Sequence, residues 1–106
     1  MNAYLFLVGA IIFEVVGTLL LPATQNFSKI LPSIALTISY LLSFYFLSFA
    51  VNKLPLAIVY ASWAGMGILL IAILSYFFYK QALGWQAIVG LLLIVIGVTL
   101  VNVYKT

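Results

Sequence analysis

Four long apolar runs govern what this chain can fold into. They cover residues 3–21, 32–51, 56–79 and 85–103. A helix needs about 20 apolar residues to cross the hydrocarbon core of a bilayer, and each run comes close to that length. In lipid every backbone N–H and C=O must find its partner inside the protein, so open sheet edges are excluded and helices follow. Only 5% of the residues are charged, whereas a soluble domain carries about 25%. The expected fold is therefore an all-α integral membrane protein, one domain over residues 1–106 with four transmembrane helices. Asn2 is placed to cap the first helix, and Pro22 ends or kinks it because proline lacks the donor for the helical bond. Residues 23–29 form a polar connection, and Pro32 suits a first helical turn. Asn52-Lys53-Leu54-Pro55 reads as a tight turn and residues 80–84 as the last connection. Trp85 and Tyr104 fall at span ends, where amphipathic aromatics favour the interface, and Asn102 and Lys105 mark the exit. The first run lacks the basic flank of a signal peptide, which predicts a retained helix.

The chain has no Cys, no His and a single acidic residue. A thiolate or histidine metal site is therefore excluded, and one carboxylate cannot hold a metal within one protomer. No nucleophile–base pair is present, so neither an enzyme nor a cofactor is expected. Lys29, Lys53, Lys80 and Lys105 are scattered, which fits membrane flanks and not a nucleic-acid patch. In a four-helix chain two of them lie on each side of the membrane. A balanced count removes most of the orientation preference set by cytoplasmic positive charge. A single topology fixed by other signals and a dual topology, with copies inserted both ways up, both stay open.

The acidic residue is Glu14, near the middle of the first run. A charge at bilayer centre costs roughly 3 kcal/mol on insertion scales, so an intramembrane acid marks a functional site by default. Helical spacing puts Leu7, Ala10, Ile11, Gly17, Thr18 and Leu21 on its face. The small residues Ala10, Gly17 and Thr18 permit close helix approach or leave room for a ligand. The plainer alternative is ordinary packing with the carboxyl group hydrogen-bonded to a hydroxyl. The second run offers Thr37, Tyr40 and Phe44 on one stripe with Ser43 beside it, and the third offers Tyr60, Trp63 and Gly67. Such a stripe can be core packing. Tyr and Trp nevertheless carry polar groups that need partners in a membrane, and aromatic faces attract cations. Gly65 and Gly67 permit a bend in the third helix. Gly90 and Gly97 share one face of the fourth. That helix has little other polarity before Thr99, which points to oligomer contact.

A bound cation favours an ionised carboxylate and a proton the neutral one, so the two ligands compete for Glu14. If the site is exposed to each side in turn, competition becomes exchange. The preferred cation is apolar or aromatic, since an inorganic ion wants several oxygen ligands. Four helices are few to enclose such a cavity. A pair of oppositely oriented protomers would relate its two ends by pseudo-symmetry, as inverted repeats do in larger transporters.

Over essentially its whole length the chain resembles the small multidrug resistance family of bacterial exporters. The resemblance rests on Phe13-Glu14-Val15-Val16-Gly17-Thr18, on Phe27-Ser28-Lys29 before Pro32-Ser33, and on Leu54-Pro55. It rests also on Tyr60-Ala61-Ser62-Trp63-Ala64-Gly65-Met66-Gly67 and on Gly90 with Gly97. It implies a multi-pass protein of the bacterial inner membrane, an antiparallel dual-topology homodimer that exchanges protons for lipophilic organic cations. Glu14 would bind proton and substrate, with Tyr60, Trp63 and Tyr40 lining the site; Gly65 and Gly67 would serve as a bend, Gly90 and Gly97 as a dimer seam. Ala10, Gly17, Thr18, Ser43 and Phe44 complete the candidate lining. Guanidinium exporters of the family typically carry Trp where this chain has Val16, whereas Tyr40 and Gly17-Thr18 look like the quaternary-ammonium, polyaromatic-cation subtype. The chain departs from the family at Pro22, Gln25 and Asn26, where lysine, an acid and glycine are usual or frequent. These positions bear on the first loop and leave the buried site intact. Two alternatives stand beside this reading: a guanidinium-type exporter, and a non-transporting subunit that pairs with a paralogue.

Overall fold

A computed structural model describes residues 2–104. Lys105, counted above, lies outside them. The described chain is four α-helices and a short 3-10 turn, without strands: α1 Ala3–Leu20, α2 Ile30–Ala50, α3 Leu56–Tyr79 and α4 Trp85–Val103. Each is long and apolar enough to cross a membrane. Asn2 caps α1, its side chain accepting from the Tyr4 amide at 2.8 Å. The chain then leaves the α-helix for the 3-10 turn Pro22–Thr24. Helix α2 starts at Ile30, two residues ahead of the expected Pro32. Proline fits there because the first helical amides have no intrahelical partner to lose.

The helices run alternately up and down. The start of α1, the end of α2, the start of α3 and the end of α4 share one membrane face, called here the 52–55 face. The connections 21–29 and 80–84 share the other. Helix α1 packs against α2 most extensively and then against α3, while α4 packs on α3. The core joins Leu7, Ile11 and Val15 of α1 to Ala50 of α2 and Val59 of α3. The outer faces carry exposed Leu5, Val8, Ile12, Leu41, Ile73, Leu93 and Ile96, a surface suited to lipid and not to water. Polar side chains on the helices turn inward to the backbone. Ser33, Thr37, Ser48 and Thr99 each donate to a carbonyl three or four residues earlier, as hydroxyls in spans do.

The first connection is built on Thr24, which is fully buried. Its hydroxyl donates to Leu21 O at 2.8 Å and accepts from the Phe27 amide at 3.2 Å. Around it Gln25, Asn26 and Phe27 take φ of 47°, 63° and 64°. Three consecutive left-handed residues without glycine are costly, so the buried hydroxyl and its two bonds hold a turn that these residues would not choose alone.

Candidate functional site

Helix α1 turns the Glu14 face inward. Leu7, Ala10, Ile11 and Gly17 are buried, and Glu14 and Thr18 are half-buried. Leu21, expected on the same face, is exposed where the helix gives way to the turn. Thr18, one turn beyond Glu14, donates its hydroxyl to Glu14 Oε2 at 2.6 Å. The same Thr18 oxygen is hydrogen-bonded to the Tyr40 hydroxyl of α2. Thr18 has one proton, so while it donates to Glu14 the phenol must donate to it. The order is Tyr40 to Thr18 to Glu14, and it can reverse when the carboxyl group carries its own proton. Among the described residues Lys29, Lys53 and Lys80 all lie outside the helices, and the Thr18 hydroxyl is the group that bonds the acid.

Two glycines make this approach possible. A Cβ at Gly17 would stand 2.6 Å from Cδ1 of Tyr40, so the missing side chain lets the Tyr40 ring lie against α1. A Cβ at Gly67 would run into Glu14 Oε1. The carboxylate thus rests on bare backbone of α3. Gly65 gives the same room to Val98 of α4. Both α3 glycines lie within the continuous helix Leu56–Tyr79, and what they supply to their neighbours is space.

Trp63 is held by a second chain. Its indole N–H donates to Ser43 Oγ at 3.1 Å, and Ser43, fully buried, donates to Ala10 O at 2.7 Å. Ala10 therefore contributes a carbonyl and closeness of approach, and Ser43 an anchor. Glu14, Thr18, Tyr40, Trp63 and Gly67 together line a cavity of about 490 Å³. It continues along Ile68, Ile71 and Ser75 of α3 to Gln81 and Leu83 of the last connection. That volume lies in the range of about 300–1,000 Å³ that suits drug-sized ligands.

Not every candidate faces this cavity. Tyr60 and Phe44 line a neighbouring pocket of about 390 Å³, with Trp63 as the shared wall. The reason is height along the helix: Tyr60 shares a face of α3 with Trp63 but lies one turn nearer residues 52–55, where it is 64% exposed. The three aromatics stay in ring contact, with centroids 5.8 Å apart for Phe44 and Trp63 and 6.1 Å for Tyr60 and Trp63. Thr37, on the same α2 stripe as Tyr40, is exposed and bonded to Ser33 O. Gly90 and Gly97 have open space before them within the protomer. Sequence reasoning missed Ser75 and Gln81 at the mouth of the cavity, and a polar cluster of Tyr4, Ser62 and Asn102. For Tyr4, Ser62, Ser75 and Asn102 a polar group inside an apolar span was the available signal; Gln81, in the last connection, carried none.

Chemically, the arrangement offers one carboxylate, two hydroxyls in relay and an indole, in an apolar cavity open toward one face. It fits a monovalent cation with apolar or aromatic bulk. It lacks the oxygen ligands an inorganic ion would need.

A family profile described as Small Multidrug Resistance protein matches residues 2–94. The chain is 43% identical over 101 residues to the quaternary ammonium compound-resistance protein QacH of Staphylococcus saprophyticus, covering 95% of this chain and 94% of the relative. It is 42% identical over 102 residues to the multidrug transporter EmrE of Escherichia coli K12, covering 96% and 93%. It is 40% identical over 103 residues to the quaternary ammonium compound-resistance protein QacC of Staphylococcus aureus, covering 97% and 96%.

Proposed function

The chain belongs to the small multidrug resistance family, and from that membership we propose that it exports lipophilic organic cations, quaternary ammonium compounds among them, in exchange for protons. It is a multi-pass protein of the bacterial inner membrane. The observation that carries the proposal is the placing of Glu14, the single acid of the sequence, on the wall of an apolar, aromatic cavity inside the spans. The names of the relatives, two quaternary ammonium resistance proteins and a multidrug transporter, support the substrate class.

Glu14 binds either a proton or the cation. Thr18 and Tyr40 orient the carboxylate, and Trp63 offers its face to the cation. When a proton arrives the carboxylate loses its charge and the cation loses its counter-charge, so loading one ligand expels the other. Tyr60 and Phe44 act from the next pocket, which a partner protomer or a bulky substrate can join to the first. The functional unit is an antiparallel homodimer. The two-against-two lysine count supports it. So does the bare Gly90–Gly97 face of α4, together with a cavity that the thin protomer leaves open.

The test is binding of tetraphenylphosphonium to the purified protein across pH. Protons compete with the cation, so affinity should rise as pH rises and then level off, and Glu14→Gln should abolish binding. A pH-independent affinity, or one retained in Glu14→Gln, would refute the shared site. Binding of guanidinium with no affinity for tetraphenylphosphonium would move the assignment to the small-cation exporters.

A further inference from the structure

Near residues 52–55 the chain holds a second chamber, of about 390 Å³, that touches the Glu14 cavity only through Trp63. Helices α2 and α3 each pack on α1 and hardly on each other, which leaves a cleft between them. Phe44, Leu47 and Ser48 of α2 line one side of it, and Leu56, Tyr60 and Trp63 of α3 the other. Its volume falls within the range of about 300–1,000 Å³ that suits drug-sized ligands.

The two chambers differ in the chemistry that selects a ligand. Glu14, the single acid of the sequence, lines the first. The second presents a wholly apolar surface. The Trp63 N–H is engaged by Ser43 Oγ, and the Ser48 hydroxyl donates to Tyr45 O. A cation placed there would give up water and gain no counter-charge, which is unfavourable. An uncharged molecule meets no such penalty. The Phe44 and Tyr60 ring centroids lie 5.8 and 6.1 Å from that of Trp63, so aromatic rings border the space from both helices. Lipid tails are as apolar as the walls, so a plain hydrocarbon chain gains little by leaving the bilayer for this cleft. A flat aromatic ring gains ring–ring attraction in addition, about two- to tenfold in affinity for each well-placed pair.

We propose that this chamber is a binding site for uncharged aromatic compounds, separate from the cation site and indifferent to the state of Glu14. It does not depend on the exporter reading, because Glu14 lies in the other cavity. Trp63 borders both chambers, so one indole senses either occupant.

That indole supplies the test. The chain has two tryptophans, and Trp85→Phe leaves Trp63 as the sole reporter. The probe is anthracene, an uncharged fused-ring hydrocarbon that takes up indole emission. Titrated into the purified Trp85→Phe protein in detergent, it should quench Trp63 to saturation. The midpoint should be the same at acid and alkaline pH, and the same after Glu14→Gln. Benzene should displace anthracene about two- to tenfold better than cyclohexane does. Ser48 is exposed, so Ser48→Phe sets a ring into the chamber without disturbing the core; it should abolish saturable quenching and leave the unfolding midpoint in place. Val51→Phe fills the same space from the end of α2 and takes over if Ser48→Phe does not fold. Quenching that fails to saturate, that disappears in Glu14→Gln, or that survives Ser48→Phe would overturn the site, and equal displacement by cyclohexane would overturn its aromatic preference. A fall of Ser48→Phe to monomer mass in mild detergent would also overturn it, since a second copy of the chain would then cover the cleft. Tetraphenylphosphonium is titrated in parallel. Its binding without saturable anthracene quenching rejects this chamber alone, and the reverse result rejects the cation site alone.

Discussion

At Gly67 a methyl group would occupy the space where Glu14 Oε1 lies. Alanine is favoured over glycine in a helix by up to about 1 kcal/mol, less than the charged hydrogen bond that it displaces is worth, so Gly67→Ala should fold but with a lowered unfolding midpoint in detergent. The carboxylate must then swing away from its Thr18 bond. A hydrogen bond to a charged group contributes about 1.5–3 kcal/mol, and cation affinity at fixed pH should fall at least tenfold. Unaltered affinity in a folded Gly67→Ala protein would mean that the carboxylate has a second resting place. Sequence spacing put Gly67 on a helix face with Trp63, but offered a bend as its role. That a neighbouring acid uses the gap became visible only once α1 and α3 were side by side.

The spans themselves are set by local chemistry, and their ends follow from nearby residues. Asn2 caps α1, and the chain leaves the α-helix just before Pro22. The first connection differs, because its shape depends on one buried group. Thr24→Val keeps the volume but removes the donor to Leu21 O and the acceptor for the Phe27 amide. Stability should drop by about 1–3 kcal/mol, the cost of leaving buried polar groups unpaired, measured as a lowered unfolding midpoint in detergent. A midpoint equal to that of the parent would show that Gln25–Phe27 hold their left-handed geometry without Thr24. The composition of residues 23–29 announced a loop and nothing more, since positive φ at Gln25, Asn26 and Phe27 carries no glycine signature.

The protomer measures 44 × 35 × 18 Å. The smallest dimension is below two helix diameters of about 10–12 Å, so the four helices form a slab and cannot wrap a cavity on all sides. None of α4 is buried, and its glycines face open space. Gly97→Leu meets nothing inside the protomer, so the fold should persist while self-association is lost, read as a fall to monomer mass in mild detergent together with loss of cation affinity. A dimer that survives Gly97→Leu would put the contact on another face of α4 or on another helix.

How far the sequence reached was set by what a membrane makes expensive. Backbone satisfaction in lipid requires helices, so the number of spans followed from four apolar runs. The cost of an intramembrane charge singled out Glu14 before any neighbour was known. Both are properties of single segments. Which aromatic of a stripe reaches the Glu14 cavity depends on the height at which the helices lie beside one another, and in lipid the outward and inward faces are alike apolar, so no polar stripe marks the side that packs. Tyr40 and Trp63 came to the Glu14 cavity while Tyr60 and Phe44 took the pocket beyond it. Asn102, which reads from sequence as the mark of a helix end, became a junction between α1 and α3. Those assignments depend on close packing at Gly17, Gly65 and Gly67, where absent side chains set the distance between helices, and only the assembled bundle decides that distance.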